Sequence, residues 1–257
     1  MGVVNVTPDS FSGDGLYLWP EAAATEAVGM LDEGAAIVDV GGESTRPGSE
    51  GVSLDEELRR VLPVLEALAG APVSIDTSKA EVARRALELG AELVNDVTAL
   101  RGDPELAGVV AAAGAYLCLM HMGGEPRTMQ TDPRYVDVVS DVKAFLEERL
   151  AFAVAEGVRE ELVCLDPGIG FGKTVEHNFE LVRRLDELAA LGRPVLIGFS
   201  RKSSLGKVLG DPAARVGSRA ASVGVAVAAY GRGATLLRVH DVREHVEALR
   251  AAQAVEG

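Results

Sequence analysis

Cysteine and asparagine are scarce in this chain, and aromatic residues make up only 4% of it. The two cysteines, Cys118 and Cys164, each lie inside an apolar run, with no Cys-x-x-Cys pattern and no cysteine–histidine cluster beside them. We therefore predict two buried core thiols rather than metal ligands or a disulfide. Reduced thiols of this kind suit a reducing compartment.

Positive charge is also in short supply, because 25 Lys and Arg residues face 39 Asp and Glu residues, for a formal net charge of −14. This balance argues against a nucleic acid or an anionic membrane surface as partner, since both carry negative charge. If the substrate is a small anion, the few cations must be concentrated at its site. Lys173 and Lys202 both fall in loops that could serve this purpose.

Long hydrophobic runs are missing as well. No apolar segment reaches the roughly 18–20 residues that a membrane helix needs. The sequence opens with a strand-like run rather than a charged and then apolar export signal, so we expect a cytoplasmic protein. The hydrophobic fraction of 47% is nevertheless ample for a core.

Short strand-like runs recur along the chain, at 3–6, 36–40, 73–75, 93–94, 116–120, 162–165, 195–197 and 236–239. Segments of helical period lie between them, at 21–33, 54–68, 79–89, 104–113, 135–156, 175–191, 214–230 and 242–254, and several end at a glycine. Eight strand–helix units predict one TIM barrel domain over residues 1–257. A doubly wound open sheet is the alternative, because eight alternations do not prove closure.

Every predicted strand is followed by at least one polar residue. These residues are Asn5, Asp39 with Glu43, Asp76, Asn95 with Asp96, His121, Asp166, Ser200 with Arg201 and Lys202, and Arg238 with His240. In a TIM barrel the chemistry lies at the carboxyl ends of the strands. The pattern therefore predicts a single polar pocket at that end.

Three of these side chains suit a flat heterocycle. Asp76, Asn95 and Asp166 offer two carboxylates and an amide to ring N–H donors, and Lys202 could donate to a ring carbonyl. The alternative is local, because an Asp after a strand is often a cap or turn residue. Asp76 precedes a predicted helix, and Asp166 precedes Pro167.

The last strand ends in Arg238 and His240, which are spaced i, i+2 and so point the same way. We predict that they form an anion clamp at the usual phosphate position of this fold. Alternatively, Arg238 pairs with a neighbouring carboxylate and His240 caps the following helix. A second anion position precedes a short predicted helix at 204–209, since helix N-termini attract carboxylates and phosphates.

The glycine-rich run that ends in Lys173 is not a nucleotide P-loop. Pro167 stands where that pattern needs its first glycine, and no dinucleotide-binding Gly-x-Gly-x-x-Gly occurs elsewhere. We expect these glycines to permit close backbone approach or tight turns.

Several of these segments, taken in order, resemble the dihydropteroate synthase family of pterin enzymes. They are Asn5-Val6-Thr7-Pro8-Asp9-Ser10-Phe11-Ser12, Glu43-Ser44-Thr45-Arg46-Pro47-Gly48, Asp166-Pro167-Gly168-Ile169-Gly170-Phe171-Gly172-Lys173, Ser200-Arg201-Lys202-Ser203 and Arg238-Val239-His240-Asp241. The resemblance runs from Val3 to about Ala251. It implies condensation of a dihydropterin-methyl diphosphate with 4-aminobenzoate, with Mg²⁺ as cofactor and release of diphosphate.

The resemblance also implies roles for individual residues. The metal and diphosphate would be held by Asn5, and the diphosphate also by Thr45, Arg238 and His240. The pterin would be held by Asp76, Asn95, Asp166 and Lys202. The aminobenzoate carboxylate would be bound by Ser203, and its ring lined by Pro47 and Phe171. Loops carrying Asp9 and Arg46 would close over the site. The catalytic candidates that the resemblance implies are Asn5, Asp9, Arg46 and Lys202.

Two rival functions share the expected barrel, namely a pterin-dependent methyltransferase and a non-catalytic pterin-binding protein. The methyltransferase has no reason to keep Ser200-Arg201-Lys202-Ser203 or the Arg238–His240 pair, and Asn5 with Lys202 argues against a binding protein. The family is dimeric, and an Ala- and Val-rich helix near 220–229 would suit a buried interface. We therefore expect a homodimer.

Overall fold

The computed structural model describes residues 1–7, 20–45, 49, 51–124 and 128–256. Its strands follow one another in the predicted rhythm: β1 Gly2–Asn5, β2 Val38–Gly41, β3 Val73–Asp76, β4 Leu93–Asp96, β5 Tyr116–Met120, β6 Val163–Asp166, β7 Leu196–Ile197 and β8 Leu236–Leu237. All eight predicted strands are confirmed, with shorter bounds for the last two.

Helices follow every strand. They are α1 Pro20–Asp32, α2 Leu54–Ala67, α3 Ala80–Glu88, α4 Leu106–Ala113, α5 Val138–Ala155, α6 Val175–Arg183, α7 Leu185–Ala189, α8 Ser203–Val208, α9 Arg219–Tyr230 and α10 Val242–Glu256. The predicted helix at 175–191 is two helices, which meet at Arg184. The helix predicted from 214 begins at 219, because the Ser218 side chain accepts the Ala221 N–H and caps it there.

The strands form a closed ring. Strands β1 to β6 lie parallel in chain order and β7 pairs with β8. Parallel bridges between Leu165 and Val195 and between Gly2 and Val239 join the two sheets at both edges. The Val3 N–H donates to the Val239 carbonyl at 3.0 Å, and the Val239 N–H donates to the Met1 carbonyl at 2.9 Å. The TIM barrel is thus confirmed, and chain order without a reversal rules out the doubly wound sheet.

The apolar core has two parts. Aliphatic side chains between the strands and the helices form the larger part. Inside the barrel, away from the predicted pocket, Leu93, Cys118, Cys164 and Leu196 form a small plug. Both cysteines are free and buried, as predicted, and they lie opposite each other on β5 and β6. The hydrogen bond between the two thiols, together with burial, raises the pKa of Cys118 well above its ordinary value.

The pocket end of the barrel is polar because side chains alternate along a strand. In β2, Val38 and Val40 pack in the core, and Asp39 between them is fully buried and bonds to residues of other strands. In β3, the same alternation places Ser74 and Asp76 on the other side from Val73 and Ile75. Within the described ranges, no helix is long and apolar enough to span a membrane.

Candidate active site

Most of the predicted site residues lie together at the carboxyl end of the barrel. Asn5, Asp76 and Asp166 end β1, β3 and β6, and Asn95 lies in β4. Thr45, Phe171, Lys202, Ser203, Arg238 and His240 follow strands β2, β6, β7 and β8. The predicted residues Asp9, Arg46 and Pro47, and Phe11 in the first loop, lie outside the described residues.

A buried network of charged side chains crosses the pocket floor. Arg238 donates through Nε to Asp39 Oδ2 at 2.6 Å and through Nη2 to Asp76 Oδ2 at 2.9 Å. The Asn95 amide nitrogen donates to the same Asp39 oxygen at 2.9 Å. This contact directs the Asn95 amide oxygen away from Asp39 and leaves it available as an acceptor. Side chains of β2, β3 and β4 are therefore linked in one network with Arg238, which follows β8.

Asp76 is part of this network rather than a helix cap. Helix α3 begins at Ala80, and the residue at its N-terminal cap position is Lys79. Burial raises the pKa of Asp76 to about 7, since its neutralising partner Arg238 is shared with Asp39. Burial alone would lower the pKa of Arg238, but Asp39 and Asp76 outweigh it and raise that pKa above its ordinary value.

Asp166 combines a turn with a place in the pocket. Its Oδ1 accepts the Gly168 N–H at 2.7 Å, so the local turn that the alternative anticipated is present. The residue is only 6% exposed, and burial raises the pKa of its carboxyl group. The Lys202 and Lys173 ammonium groups act in the opposite direction on this pKa.

Lys202 reaches the same corner of the pocket from the start of α8. Its Nζ donates to the Ile169 carbonyl and lies 4.3 Å from the centre of the Phe171 ring. Burial lowers the pKa of Lys202 to about 8, and Asp166 counteracts part of that shift. The cation therefore contacts Phe171 on the predicted aminobenzoate side of the pocket and interacts electrostatically with Asp166 on the predicted pterin side.

Arg238 and His240 have different partners. His240 lies beside Ser200, with its Nδ1 3.1 Å from Ser200 Oγ and its backbone N–H donating to the same oxygen at 3.2 Å. Burial lowers the pKa of His240 to about 3, so the ring is neutral near pH 7. Arg238 pairs with neighbouring carboxylates, as the alternative anticipated. These are Asp39 and Asp76, which belong to the pocket itself.

Two motif residues without a predicted role fasten the neighbouring loops together. Arg201 adopts a left-handed backbone conformation, with φ of 58°, directly before Lys202. Its guanidinium forms a double contact with Asp241, at 2.6 and 3.0 Å. The side chain of Asp241 is only 3% exposed. This ion pair joins the loop after β7 to the loop after β8 and so fixes the strained turn that carries Lys202.

A cavity of about 260 Å³ opens beside Asp76. Six of its eleven lining residues carry a hydroxyl group, and the lining comprises Glu43, Ser44, Thr45, Ser49, Gly51, Asp76, Thr77, Ser78, Val97, Thr98 and Met122. Glu57 of α2 supports one wall of this cavity, and its side chain is fully buried. Glu57 accepts from Thr77 Oγ1 at 2.6 Å and from Lys79 Nζ at 2.5 Å, and Lys79 also contacts Glu43. A wider groove between α3 and α4 contains none of the predicted residues.

The residues that support the pocket from behind were less predictable from the sequence than the polar residues at the strand ends. The strand-end pattern identifies Asp39 only as a polar residue, although a charged residue between Val38 and Val40 signals an inward position. Asn178 of α6 accepts the Gly170 N–H at 2.7 Å and donates to Ser204 at 2.9 Å. Its scarce residue type was the only signal.

Comparisons with known proteins agree with this geometry. The family model described as "Pterin binding enzyme" matches residues 1–240. Dihydropteroate synthase of Escherichia coli (strain K12) is 45% identical over 258 residues, which cover 99% of this chain and 90% of that protein. Dihydropteroate synthase of Haemophilus influenzae is 44% identical over 259 residues, with 99% and 92% covered.

Solved structures give the same result. A Yersinia pestis dihydropteroate synthase with a sulfonamide drug complex has a TM-score of 0.93 and 43% identity, covering 100% of this chain and 93% of that one. A Xanthomonas albilineans dihydropteroate synthase in complex with 7,8-dihydropteroate has a TM-score of 0.87 and 43% identity, with the same coverage. The chain belongs to the dihydropteroate synthase family of pterin-binding enzymes.

Proposed function

We propose that this protein condenses (7,8-dihydropterin-6-yl)methyl diphosphate with 4-aminobenzoate, giving 7,8-dihydropteroate and diphosphate. The carrying observation is the buried network of Arg238, Asp39, Asp76 and Asn95 at the barrel mouth, next to Asp166 and Lys202. The relatives named above are synthases and none of them supports the methyltransferase alternative. Sulfonamide binding by the Yersinia pestis relative makes this chain a proposed sulfonamide target.

The pterin ring would lie against the pocket floor. Carboxylates at Asp76 and Asp166 would accept its N–H donors, the Asn95 amide oxygen would accept another, and Lys202 would donate to its carbonyl. The support is geometric, because Asp76, Asn95 and Asp166 are each less than a tenth exposed and lie on separate strands of one ring. Buried, oriented partners discriminate strongly against a ring with the wrong pattern.

4-Aminobenzoate would lie between Phe171 and the first turn of α8. Ser203 is the first residue of that helix, so its hydroxyl and the free backbone N–H groups can meet a carboxylate. The Phe171 ring and Pro47 would line the ring of the substrate. A Xanthomonas albilineans dihydropteroate synthase has also been solved with 4-aminobenzoic acid, which supports this class of substrate.

Asn5 would hold Mg²⁺ together with the diphosphate. Among the residues that the structure describes, no three His, Cys, Asp or Glu side chains are grouped to bind a metal. Mg²⁺ usually keeps several waters and binds substrate phosphates plus one or two protein oxygens, so an amide oxygen at the end of β1 fits such a shared site. When bound, the ion would neutralise charge on the departing diphosphate.

The protein side chains then need only orient and shield the reactants. Arg238, Thr45 and neutral His240 would bind the diphosphate as its charge develops, and diphosphate departure leaves a cationic pterin methylene. The free aromatic amine attacks that carbon, and the arylammonium that forms loses its proton to the released diphosphate or to water, so no strong base is required. Water must be excluded, and we propose that the loops carrying Asp9 and Arg46 close for this purpose.

Mg²⁺-dependent diphosphate release, measured with and without 4-aminobenzoate, tests the proposal. We expect release that depends on both Mg²⁺ and 4-aminobenzoate, and strong loss in Lys202→Met. Lys207→Met is the matched control, because this lysine lies exposed in α8, the helix that Lys202 precedes. A wild-type protein that binds pterin without releasing diphosphate would instead support the methyltransferase or the binding protein. Cytoplasmic location and a homodimer stay predictions.

A further inference from the structure

The loop between β6 and α6, residues 167–174, lies backbone against backbone on the loop that follows β5. We call it the glycine loop. Gly168 and Gly172 adopt φ of 69° and 67°, which other residues rarely do. A Cβ atom at Gly168 would lie 1.9 Å from the His121 carbonyl oxygen, and one at Gly172 would lie 2.3 Å from the Gly123 oxygen. The two loops therefore touch without side chains between them.

Lys173 fastens this contact from inside. The residue is 3% exposed. Its Nζ lies 2.9 Å from His121 Nδ1, 3.0 Å from the Phe171 carbonyl oxygen and 3.4 Å from the His121 carbonyl oxygen. Burial lowers the pKa of His121 to about 3, so its ring is neutral and Nδ1 can accept from the lysine. Burial lowers the pKa of Lys173 to about 7, and in its ammonium form the three N–H groups have three neutral acceptors on two loops.

Phe171 is the residue that these contacts hold. Its carbonyl accepts from Lys173, and its N–H donates to the Gly168 carbonyl at 3.1 Å. The ring stands between the Lys202 ammonium and a cluster of apolar side chains formed by Val97, Met120, Met122 and Met129. A shift of the glycine loop against the β5 loop would move the Phe171 ring away from Lys202.

Two of the four pterin-facing groups do not depend on the same contacts, whereas Asp166 and Lys202 meet the glycine loop at the Gly168 N–H and the Ile169 carbonyl. Asp76 and Asn95 lie in strands, and their partners are Arg238 and Asp39. Lys173 contacts neither of them in the described residues. A change at Lys173 is therefore transmitted to the Phe171 side of the pocket and not to Asp76 or Asn95.

We propose that Lys173 is a positioning residue for the second substrate: by tying the Phe171 carbonyl to His121, it sets the aromatic wall of the 4-aminobenzoate site. This inference rests on the proposed function for the identity of that substrate. It gives a role to the lysine of a motif that is not a P-loop.

The test is Lys173→Met in the full chain. We expect the Michaelis constant for 4-aminobenzoate to rise roughly tenfold or more, the size of one lost hydrogen bond to a charged group. The dissociation constant of the pterin diphosphate should rise clearly less than this Michaelis constant, because Asp76 and Asn95 keep their contacts. The control is Arg193→Met, because Arg193 donates to a backbone carbonyl, that of Glu160, at 3.0 Å on the approach to β6, far from the pocket. Equal losses for both substrates would overturn the proposal.

A double-mutant cycle with Phe171→Ala separates positioning from general destabilisation. If Lys173 acts through Phe171, its substitution should add little once that ring is gone, whereas additive effects would contradict the proposal. Lys173→Gln, which keeps N–H donors, should give an intermediate Michaelis constant and is the second variant should Lys173→Met not fold.

Hydrogen exchange in the ligand-free protein gives a readout that needs no turnover. Amides of residues 168–174 should exchange faster in Lys173→Met than in the wild-type protein. In Arg193→Met their exchange rates should not change. Unchanged exchange in Lys173→Met would contradict the loop contact itself. A wild-type protein that releases no diphosphate would refute the proposed function, and the exchange result would still decide whether Lys173 holds the glycine loop.

Discussion

At the scale of single residues, Asp166 allows a substitution that separates fold from recognition. In Asp166→Asn the amide oxygen can still accept the Gly168 N–H, so the turn should survive. The other position changes from acceptor to donor and leaves a ring N–H unpaired. We expect pterin binding to weaken by roughly 1–3 kcal/mol, measured by titration calorimetry, with little change in melting temperature. Unchanged affinity would show that Asp166 serves only the turn.

Asp76 predicts a pH dependence of ligand binding. Burial raises its pKa to about 7, and the ionised carboxylate is the form that accepts ring N–H donors. Pterin affinity should therefore fall as the pH drops below about 7, and binding at pH 6 should release a proton. Calorimetry in two buffers of different ionisation enthalpy measures that proton. Proton release that persists in Asp76→Asn would assign it to another group.

The same pKa shift acts on folding in the opposite direction. The pKa of Asp76 is higher in the folded protein than in the unfolded chain, so protonation favours the fold. This contribution is fully present below the ordinary pKa of the carboxyl group and is lost as the pH rises through about 7. Above about pH 7 the carboxylate of Asp76 is therefore ionised and can accept ring N–H donors, but in that form it no longer stabilises the fold.

At the scale of elements, the contact between the glycine loop and the β5 loop predicts unequal effects of two matched substitutions. Gly172 and Gly192 have similar φ of 67° and 74°, so alanine costs roughly 1–2 kcal/mol of backbone strain at either. At Gly192 a Cβ meets nothing within 4 Å, whereas at Gly172 it meets the Gly123 backbone. Gly172→Ala should cost roughly 1–3 kcal/mol more in urea unfolding. Equal losses would mean that the two loops separate freely.

At the scale of the whole molecule, α9 is the predicted dimer surface. Ala220 and Gly224 are exposed on one face of it. We expect light scattering to give twice the 26.8 kDa of one chain. Gly224→Glu should produce monomers, because it places a charge on the predicted dimer surface, and Gly29→Glu in α1 should not. Both substitutions should leave the fold of the chain intact, because a Cβ meets nothing within 4 Å at either glycine. A dimer that survives Gly224→Glu would exclude this face.

Much of the architecture was predictable from local sequence. Eight apolar runs, each followed by a helical period, predicted the barrel, because parallel strands need helices that return the chain. Strand-end polar residues predicted the pocket, since parallel strands in a ring share one carboxyl end. Errors arose at helix ends. The backbone leaves helical geometry at Arg184, which divides one predicted helix, and the Ser218 side chain caps α9 later than the apolar period predicts.

The sequence alone determined the barrel, the polar residues at the strand ends and the resemblance to a pterin enzyme. Each of these depends on patterns of residues close together in the chain. Partners were decided only by the tertiary structure. Arg238 meets Asp39 across 199 positions and Asp76 across 162, and Lys173 meets His121 across 52. Alternation along a strand tells which side chains face inward. It does not tell which of them meet, because closing the ring brings distant strands face to face.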